Sequence, residues 1–408
     1  MKKDVIVVGG GASGFFAGIF AALSGANVTI LEKNSKFGKK LLVTGNGRCN
    51  LSNTAYYLGV FRGQNEEFAW DAFDEFPMSK TLAFLSQIGL YTKNKDGYLY
   101  PYSEQAQSLL DVLDNKARQL KVKLKTNIEV KEIRKNKENN KFEVVTSGWI
   151  YQADRVILST GSSASLVEGS SEGGYRLAES FGHSIIKPLP ALVAVKGRDD
   201  FYGQWAKIRC PATIYLEVKE PFSVEKEEWK SLRLAKGELQ LTEYGISGIP
   251  TFELSRYVAR LAQEKVDMRF RIDFMPDFSE QNLISFLEIR EKNLGKEDFS
   301  ALLTGVFHKK LIPLFSRGCQ TLPDLAYRIK NFMFSIDNTL SKDHAQVMSG
   351  GVNTKEINPL TMESKLCRGL YFSGELMDVD GTCGGYNLQW AWTSGAIAGQ
   401  AAAKEELL

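Results

Sequence analysis

Histidine is scarce in this 408-residue chain, and the three that occur, His183, His308 and His344, are not spaced as metal ligands are. The five cysteines are odd in number, far apart and form no CxxC pair, so we expect neither a disulfide scaffold nor a zinc site. No stretch reaches the roughly 18 consecutive apolar residues of a membrane-spanning helix. These scarcities argue against histidine-based metal catalysis and predict a soluble, cytoplasmic protein.

Charge of one sign is not in excess either. The chain has 51 lysines and arginines against 48 aspartates and glutamates, a net charge of +3. Such a balance gives no general attraction for nucleic acid or for an anionic membrane. We therefore expect a small-molecule substrate, no nucleic-acid partner and no membrane partner. The length predicts about two to three domains, each able to bury a core.

The first residues combine a short strand, a glycine-rich turn and an apolar helix. Asp4 to Val8 is typical of a strand and Ser13 to Gly25 of a helix. Between them, Gly9, Gly11 and Gly14 have the GxGxxG spacing, which allows a tight turn and close approach of a pyrophosphate to the backbone. The helix then directs its N-terminal N–H groups and the positive end of its dipole at the phosphates. The pattern predicts a dinucleotide site.

An acidic residue strengthens this prediction, because GxGxxG alone is weak evidence. The second strand, Asn27 to Glu32, ends in a carboxylate close to the roughly 20-residue offset at which an acid accepts hydrogen bonds from ribose hydroxyls. Lys33 follows it and is a candidate for contact with a 2′-phosphate, although a surface lysine after a strand is the simpler interpretation.

The middle of the chain changes in character. The loop 45–50 is too glycine-rich for a helix interior, and the strand Tyr151 to Leu158 leads into Thr160 and Gly161, where a strand end approaches a bound cofactor. Residues 191–344 then mix strand-like and helix-like segments. We predict a nucleotide-binding domain in two parts, 1–190 and 345–408, interrupted by a β-rich domain at 191–344 with a helical subdomain near 250–320.

Within that helical subdomain, three segments have apolar residues at helical spacing. The predicted helices are Phe252 to Gln263, Glu280 to Asn293 and Glu297 to Leu311.

The last part of the chain returns to glycine-rich turns. Leu370 to Glu375 is a short strand ending in Gly-Glu, and Gly384 and Gly385 precede a helix rich in alanine, glycine and tryptophan. Small residues along this helix permit close packing against the first helix. Its N-terminus is a second site of partial positive charge, suited to the anion that appears when a flavin is reduced. Simple packing of this helix on the sheet is the alternative interpretation.

Several motifs together carry a resemblance to a known family. They are the turn Val7 to Gly14, the segment Lys40 to Asn50, the pair Gly350-Gly351, and Gly374-Glu375 with Gly384 to Gln389. These motifs resemble the bacterial NAD(P)/FAD-dependent oxidoreductases often labelled BaiN-like, and the match runs nearly from end to end. The loop Thr-Gly-Asn-Gly-Arg-Cys-Asn is far more specific than the dinucleotide fingerprint.

The resemblance implies an α/β fold: a glutathione-reductase-like, FAD-binding Rossmann domain with an inserted β-barrel domain that carries a helical subdomain. It implies that the first turn meets the pyrophosphate, Glu32 the adenosine ribose and the Val130 backbone the adenine, and that the remaining motifs lie toward the flavin and its ribityl chain. The candidate FAD-binding residues are Gly9, Gly11, Ala12, Ser13, Gly14, Glu32, Lys33, Lys40, Thr44, Gly47, Arg48, Cys49, Asn50, Val130, Thr160, Gly161, Gly351, Gly374, Glu375, Gly384, Gly385, Tyr386 and Asn387.

By the same resemblance, the function is that of an FAD-dependent oxidoreductase in which hydride moves between flavin N5 and a small organic substrate or NAD(P)H. Flavin chemistry asks the protein mainly for binding, orientation and electrostatics, so no catalytic side chain is assigned. The chain has no second GxGxxG sequence, and any NAD(P)H is therefore expected to bind transiently. The family's activities include amine oxidation of the aminoacetone type and NAD(P)H-dependent reduction of steroid-like enones, and the sequence does not separate them.

Other hypotheses stay open. One is a flavoprotein that modifies RNA, and another is a non-catalytic flavin-binding protein. A dithiol relay between Cys49 and Cys383 is a third, although relay cysteines usually stand closer together in sequence. The chain also departs from the family pattern in the segment 242–250, where Glu243 stands at a position at which many relatives carry histidine, so any role of that segment is in doubt.

Overall fold

The chain folds into two compact units in the computed structural model, which describes residues 2–164, 167, 171–219, 228–295 and 298–404. The first unit consists of Met1–Leu189 and Gln346–Leu408, and the second of Pro190–Ala345. Among the described residues, no helix is both long enough and apolar enough to cross a membrane.

The first unit begins with alternating strands and helices. Its strands are β1 (Asp4–Val8), β2 (Asn27–Leu31), β3 (Ser52–Asn53), β4 (Phe61–Arg62), β5 (Thr92–Lys95), β6 (Tyr98–Pro101), β7 (Lys123–Lys125), β8 (Val130–Lys135), β9 (Phe142–Thr146), β10 (Ile150–Ala153), β11 (Arg155–Leu158) and β12 (Ile185–Ala191). Its helices before the second unit are α1 (Ala12–Leu23), α2 (Lys39–Val43), α3 (Glu66–Glu75), α4 (Met78–Gln87), α5 (Ala106–Gln119) and α6 (Gly173–Glu179).

The second unit and the return to the first follow in chain order. The strands of the second unit are β13 (Val195–Gly197), β14 (Ile208–Lys219), β15 (Trp229–Thr242), β16 (Gly245–Gly248), β17 (Met268–Asp273) and β18 (Phe332–Thr339). Its helices are α7 (Ile249–Gln263), α8 (Glu280–Leu294), α9 (Phe299–Leu303), α10 (Ile312–Ser316) and α11 (Leu322–Lys330). The first unit then adds β19 (Val347–Val352), β20 (Leu370–Phe372), β21 (Asp380–Gly381) and α12 (Tyr386–Ala403).

A five-stranded parallel sheet with the order β20-β11-β1-β2-β7 forms the centre of the first unit. Val7 of β1 pairs with Ile30 of β2 on one side and with Ile157 of β11 on the other. A parallel sheet is covered on both faces, which explains why β1 and β11 are nearly continuous runs of buried residues. The predicted Rossmann-type sheet is confirmed.

Helices α1 and α12, from opposite ends of the chain, pack closely together. A Cβ atom built on Gly395 would lie 2.6 Å from the carbonyl oxygen of Ser13, and one built on Gly399 would lie 2.3 Å from that of Ala17. Any larger side chain at these two positions would push the helices apart. The expectation that small residues of the last helix pack against the first is confirmed.

The second unit contains a closed barrel with the strand order β13-β16-β15-β14-β17-β18. Alternate residues of β14 and β17, among them Ile214, Leu216 and Phe270, point into its core, as strand periodicity requires. The rings of Trp205 and Phe334 stack there at 6.3 Å with an interplanar angle of 10°. The predicted inserted barrel with added helices is confirmed.

One predicted helix in this unit is wrong. The segment from Glu297 to Leu311 does not form a single helix: α9 ends at Leu303, and α10 begins only at Ile312, while Glu297 itself lies outside the described residues. Gly305, with φ of +81°, breaks the helical path between them. Apolar spacing alone did not reveal this break, because the intervening residues keep a helix-like pattern.

Candidate dinucleotide and flavin site

The turn between β1 and α1 is held in shape by glycines. Gly9 has φ of +108°, and a Cβ on it would lie 2.4 Å from the carbonyl oxygen of Ser159. A Cβ on Gly14 would lie 2.0 Å from the carbonyl oxygen of Gly9. Gly11 differs, because a Cβ there meets nothing within 4 Å. Protein packing therefore explains the first two glycines, while Gly11 leaves the backbone open to a ligand at the N-terminus of α1.

Glu32 is tied to this turn. Its Oε2 accepts a hydrogen bond of 2.8 Å from the Gly10 N–H, and its Oε1 accepts bonds from the backbone and side-chain amides of Asn34 at 2.8 and 2.7 Å. The carboxylate is buried, with 8% of the residue exposed. Glu32 thus fixes the glycine turn from the end of β2, and contact with a ribose remains a prediction.

The predicted adenosine side is assembled around the same strand ends. The Ile128 N–H donates to the Glu32 carbonyl oxygen at 2.9 Å, which brings the start of β8, with Val130, next to β2. Lys33 donates to the Ser171 hydroxyl at 2.7 Å, and burial lowers the pKa of Lys33. Lys33 is therefore half-buried and engaged, rather than a free surface lysine.

Thr160 and Gly161 follow β11 beside the turn. The Cα of Thr160 lies 3.1 Å from a Cβ built on Gly9. Gly161 has φ of +70° and, like Gly11, has open space where a side chain would be. The structure thus brings the first turn and the end of β11 together.

The loop after α2 has an unusual backbone. Gly45, Asn46, Gly47 and Cys49 all have positive φ, between 56° and 81°. The Thr44 hydroxyl donates to the Leu41 carbonyl at 2.7 Å, and the Thr44 carbonyl accepts from the Cys49 N–H at 3.0 Å. Left-handed conformations at non-glycine residues carry strain, which a fold retains most often at functional sites.

Cys49 itself is fully buried and burial raises its pKa to about 12. Its thiol therefore stays protonated at neutral pH, and a protonated thiol is a poor nucleophile. Cys49 and Cys383 are both free cysteines. The burial and the raised pKa of Cys49 weigh against the dithiol relay.

The C-terminal loops contact the N-terminal ones directly. Lys40 Nζ forms an ion pair of 2.6 Å with Glu375 Oε2. A Cβ on Gly374 would lie 2.5 Å from the Ser13 hydroxyl, and a Cβ on Gly385 would lie 2.8 Å from Asn50 Oδ1. The structure therefore brings residues from both ends of the chain into one site.

Three further predicted residues hold this arrangement. A Cβ on Gly351 would lie 2.5 Å from the Leu376 carbonyl oxygen, so no side chain fits there. The Asn387 side chain accepts a hydrogen bond of 2.8 Å from the Gly381 N–H and donates one of 2.9 Å to the Gly381 carbonyl oxygen. The Tyr386 hydroxyl donates to the Ala55 carbonyl oxygen. Tyr386 and Asn387 thus brace the loop before α12.

The site residues fit a dinucleotide with a hydroxylated chain. Of the buried side-chain oxygens without a hydrogen-bond partner in the described part of the chain, four belong to the loops of this site: Asn50 Oδ1, Thr160 Oγ1, Glu375 Oε1 and Thr382 Oγ1. Buried polar atoms normally have a partner in the protein, in ordered water or in a ligand, so these four oxygens are available as acceptors for a ligand. Carbonyl, carboxylate and hydroxyl oxygens are suitable acceptors for ribose and ribityl hydroxyls. At the N-terminus of α12, Gly385 has φ of +98° and makes no side-chain capping hydrogen bond, and the positive end of the helix dipole favours an anion there.

Sequence reasoning missed two residues of this site. Asn53 donates from Nδ2 to the Gly384 carbonyl at 3.0 Å, and Thr382 holds one of the unsatisfied oxygens. Asn53 and Gly384 are 331 residues apart in the sequence. No local pattern joins them, and only the family resemblance placed their two loops together.

Fold and site together define a class. A parallel sheet with a glycine turn, a carboxylate after its second strand and a second helix N-terminus is the arrangement of a Rossmann-type nucleotide-binding protein.

Comparison with known proteins gives the family. The HI0933-like protein Rossmann domain matches residues 3–401, so the chain belongs to the HI0933-like family. A 3-dehydro-bile acid delta(4,6)-reductase of Clostridium scindens is 40% identical, with 98% of each chain covered. A ribosomal RNA dihydrouridine synthase of Haemophilus influenzae is 28% identical, with 96% of each covered. These findings confirm the BaiN-like resemblance and the prediction of a flavin-dependent oxidoreductase.

A solved structure shares the fold. The 3-ketosteroid delta1-dehydrogenase of Sterolibacterium denitrificans has a TM-score of 0.50 and 12% identity, over 98% of this chain and 99% of that one. Its likeness extends across both units of the chain.

Proposed function

We propose that this protein is an FAD-dependent reductase that adds hydrogen across a carbon–carbon double bond conjugated to a carbonyl group. The observation that carries the proposal is the chemistry common to two relatives that match nearly the whole chain. A 3-dehydro-bile acid with double bonds at positions 4 and 6 is an extended enone. Uridine becomes dihydrouridine when its ring double bond, which is conjugated to a carbonyl, is saturated. The two substrates differ in size, but the reduced bond is of one class.

The site supports FAD as the flavin. In support, Gly11 has open space where a pyrophosphate would approach the backbone, and Asn50 and Glu375 each have a buried oxygen without a partner that would accept from a hydroxyl group. FAD has both a pyrophosphate and a hydroxylated chain. When bound, FAD supplies the hydride for the reduction. The N–H groups that open α12 stabilise negative charge beside them, and the Lys40–Glu375 pair fixes the loop that leads there.

NAD(P)H is the proposed electron donor, bound transiently. In support, the sequence has a single dinucleotide fingerprint, and in the structure that fingerprint forms the turn assigned to FAD. Hydride donation from a nicotinamide that leaves after each transfer requires no second permanent site.

Anaerobic spectroscopy tests the proposal. The FAD-loaded protein is titrated with NADH or NADPH, and we expect one of them to bleach the oxidised flavin. Addition of 2-cyclohexenone or a 3-oxo-4-ene steroid acid should then restore the absorbance, one enone per flavin, whereas the saturated ketone cyclohexanone should not. Bleaching by a small primary amine, with no reoxidation by any enone, would favour an amine oxidase and contradict the proposal.

Reduction of uridine in RNA is the second candidate, favoured by the dihydrouridine synthase relatives. Ribosomal RNA from cells that lack the gene is compared with that of the parent by mass spectrometry. Loss of a dihydrouridine, which is heavier than uridine by two hydrogens, would make RNA the substrate. Identical spectra would leave the small-molecule enone as the function.

A further inference from the structure

A small pocket of about 190 Å³ lies within the first unit, next to the loops assigned to the flavin. Its lining residues are polar or aromatic and come from the loop after α2, from the β5–β6 hairpin and from the turn before α5. They are Arg48, Lys95, Asp96, Tyr98, Tyr100 and Glu104.

Two tyrosines place this pocket beside the site. Tyr98 and Tyr100 alternate on β6 and therefore share a face of the strand. The Cε1 atom of Tyr98 lies 3.3 Å from a Cβ built on Gly384, and that of Tyr100 lies 4.0 Å from one built on Gly45. The pocket thus borders both glycine loops, one from each end of the chain.

The charges around the pocket are unequally engaged. Glu104 forms an ion pair with Lys93, which holds the pKa of Glu104 below its usual range. Arg48 Nε lies 3.9 Å from Glu104 Oε2, at the outer limit of an ion pair, and 58% of the Arg48 side chain is exposed. Lys93 neutralises the charge of Glu104, which leaves the two positive charges of Arg48 and Lys95 against the one negative charge of Asp96. The pocket therefore has a net positive charge and an arginine that is only weakly held.

Tyr100 adds a neutral donor. Burial raises the pKa of its hydroxyl, with Arg48 opposing the shift. Arg48 and Tyr100 both line the pocket. A phenol O–H and a guanidinium are both donors that suit a carboxylate or a phosphate oxygen.

We infer that this pocket binds the anionic group of the substrate, a carboxylate or a phosphate, through Arg48 and Tyr100. The inference rests on the proposed function only in naming the ligand as substrate. It moves Arg48 from the cofactor, where the family resemblance placed it, to the substrate. A substrate of this enzyme would then be an enone that also carries a negatively charged group.

Calorimetric titration of the FAD-loaded protein with benzoate and with inorganic phosphate tests the inference without turnover. We expect benzoate, phosphate or both to bind with a dissociation constant on the order of 1 mM, and the tighter anion distinguishes a carboxylate from a phosphate source. Benzamide, which has the shape of benzoate without its charge, should bind at least about tenfold more weakly.

Variants assign the binding to the pocket. Arg48→Gln should weaken anion binding at least about tenfold, and Tyr100→Phe by about threefold to tenfold. Arg209→Gln is the matched control, because Arg209 is an exposed arginine on β14 of the second unit that pairs with Glu238. If Arg48→Gln fails to retain FAD, Arg48→Lys gives a second variant, which keeps the positive charge but not the forked donor of arginine. Its affinity for the anion should lie between those of the unmodified protein and Arg48→Gln.

The outcomes separate this inference from the proposed function. Anion binding that is lost in Arg48→Gln and kept in Arg209→Gln supports the pocket, even if no enone reoxidises the flavin. Binding that is unchanged in Arg48→Gln, equal for benzamide, or absent for both anions overturns it, even if the protein proves to be an enone reductase.

Discussion

Two glycines of the first turn separate what the fold requires from what the cofactor requires. A Cβ on Gly14 would lie 2.0 Å from the Gly9 carbonyl oxygen, whereas a Cβ on Gly11 meets nothing within 4 Å. Gly11 has φ of −86°, which alanine adopts without strain. Gly14→Ala should therefore lower the stability of the protein itself. Gly11→Ala should lower only the affinity for a ligand that lies against this backbone.

The expected magnitudes follow from these contacts. Real Cβ atoms essentially never lie closer than 3.0 Å to a neighbour, so at Gly14 the turn and α1 must separate by 1.0 Å, the difference between 3.0 and 2.0 Å. Overpacking of this kind costs about 1–3 kcal/mol of unfolding free energy. The same shift breaks at least one hydrogen bond from a backbone N–H to phosphate, worth about 1.5–3 kcal/mol, which lowers FAD affinity by about tenfold to a hundredfold.

Gly11→Ala should give a different result. Alanine is a poorer N-cap than glycine, but it also restricts the unfolded chain, and these two effects oppose each other. The unfolding free energy without FAD should therefore stay within about 0.5 kcal/mol of that of the unmodified protein. Its FAD affinity should still fall at least about tenfold, because the added methyl group stands where the pyrophosphate approaches.

Urea unfolding of the apoprotein, followed by circular dichroism, and FAD titration, followed by quenching of flavin fluorescence, measure the two effects. Gly148→Ala is the control: its Cβ meets nothing within 4 Å, and it lies in a β-hairpin turn away from the site, so neither quantity should change. If Gly11→Ala binds FAD as tightly as the unmodified protein, the pyrophosphate does not lie on this turn and the site assignment is wrong.

Three further perturbations test other parts of the molecule. Lys40→Met leaves the carboxylate of Glu375, whose side chain is 18% exposed, without its lysine partner. We expect the unfolding free energy to fall by about 1–2 kcal/mol, a figure kept small because the Lys40 side chain is 35% exposed. In urea titrations, adding Glu375→Gln should recover part of this loss, because it removes the unpaired charge. Burial lowers the pKa of His183 below its usual value of 6.5, so at lower pH the unfolded chain binds more protons than the folded one. The unfolding free energy should therefore fall as the pH drops below 6.5. His183→Gln should reduce this fall when unfolding is compared at about pH 7.5 and about pH 5.5. Because burial raises the pKa of Cys49 to about 12, its thiol should resist iodoacetamide in the native protein. A Cys49→Ser, Cys383→Ser double variant should reoxidise its flavin at an unchanged rate. Rapid labelling of Cys49, or slower flavin reoxidation in the double variant, would support the dithiol relay.

Local physics made part of this molecule predictable. Gly9 and Gly14 are glycines because neighbouring backbone oxygens leave no room for a side chain, and the GxGxxG spacing signals that crowding directly. The small residues of α12 are predictable for the same reason, since Gly395 and Gly399 lie so close to α1 that a larger side chain would push the two helices apart.

Other features required information that no short segment contains. Lys40 and Glu375 are 335 residues apart, and nothing near either one indicates that they form an ion pair. The helix predicted to extend to Leu311 failed for a related reason, because the pattern of apolar residues does not register the left-handed Gly305. Periodicity records which residues are buried, whereas backbone breaks and long-range pairs depend on the tertiary fold.

The contacts between the two ends of the chain explain why the first turn alone would not make this site. Gly374 lies against the Ser13 hydroxyl, which belongs to the first turn of α1, and Gly385 lies against Asn50. Since Gly395 and Gly399 fix α12 on α1, the N-terminus of α12 is held relative to the glycine turn by backbone packing rather than by flexible side chains. A ligand that spans both helix N-termini therefore meets groups already in position, and little ordering cost is subtracted from its binding free energy. It follows that a bulkier residue at Gly399, far along α12 from the predicted flavin contacts, should weaken FAD binding as well as the fold.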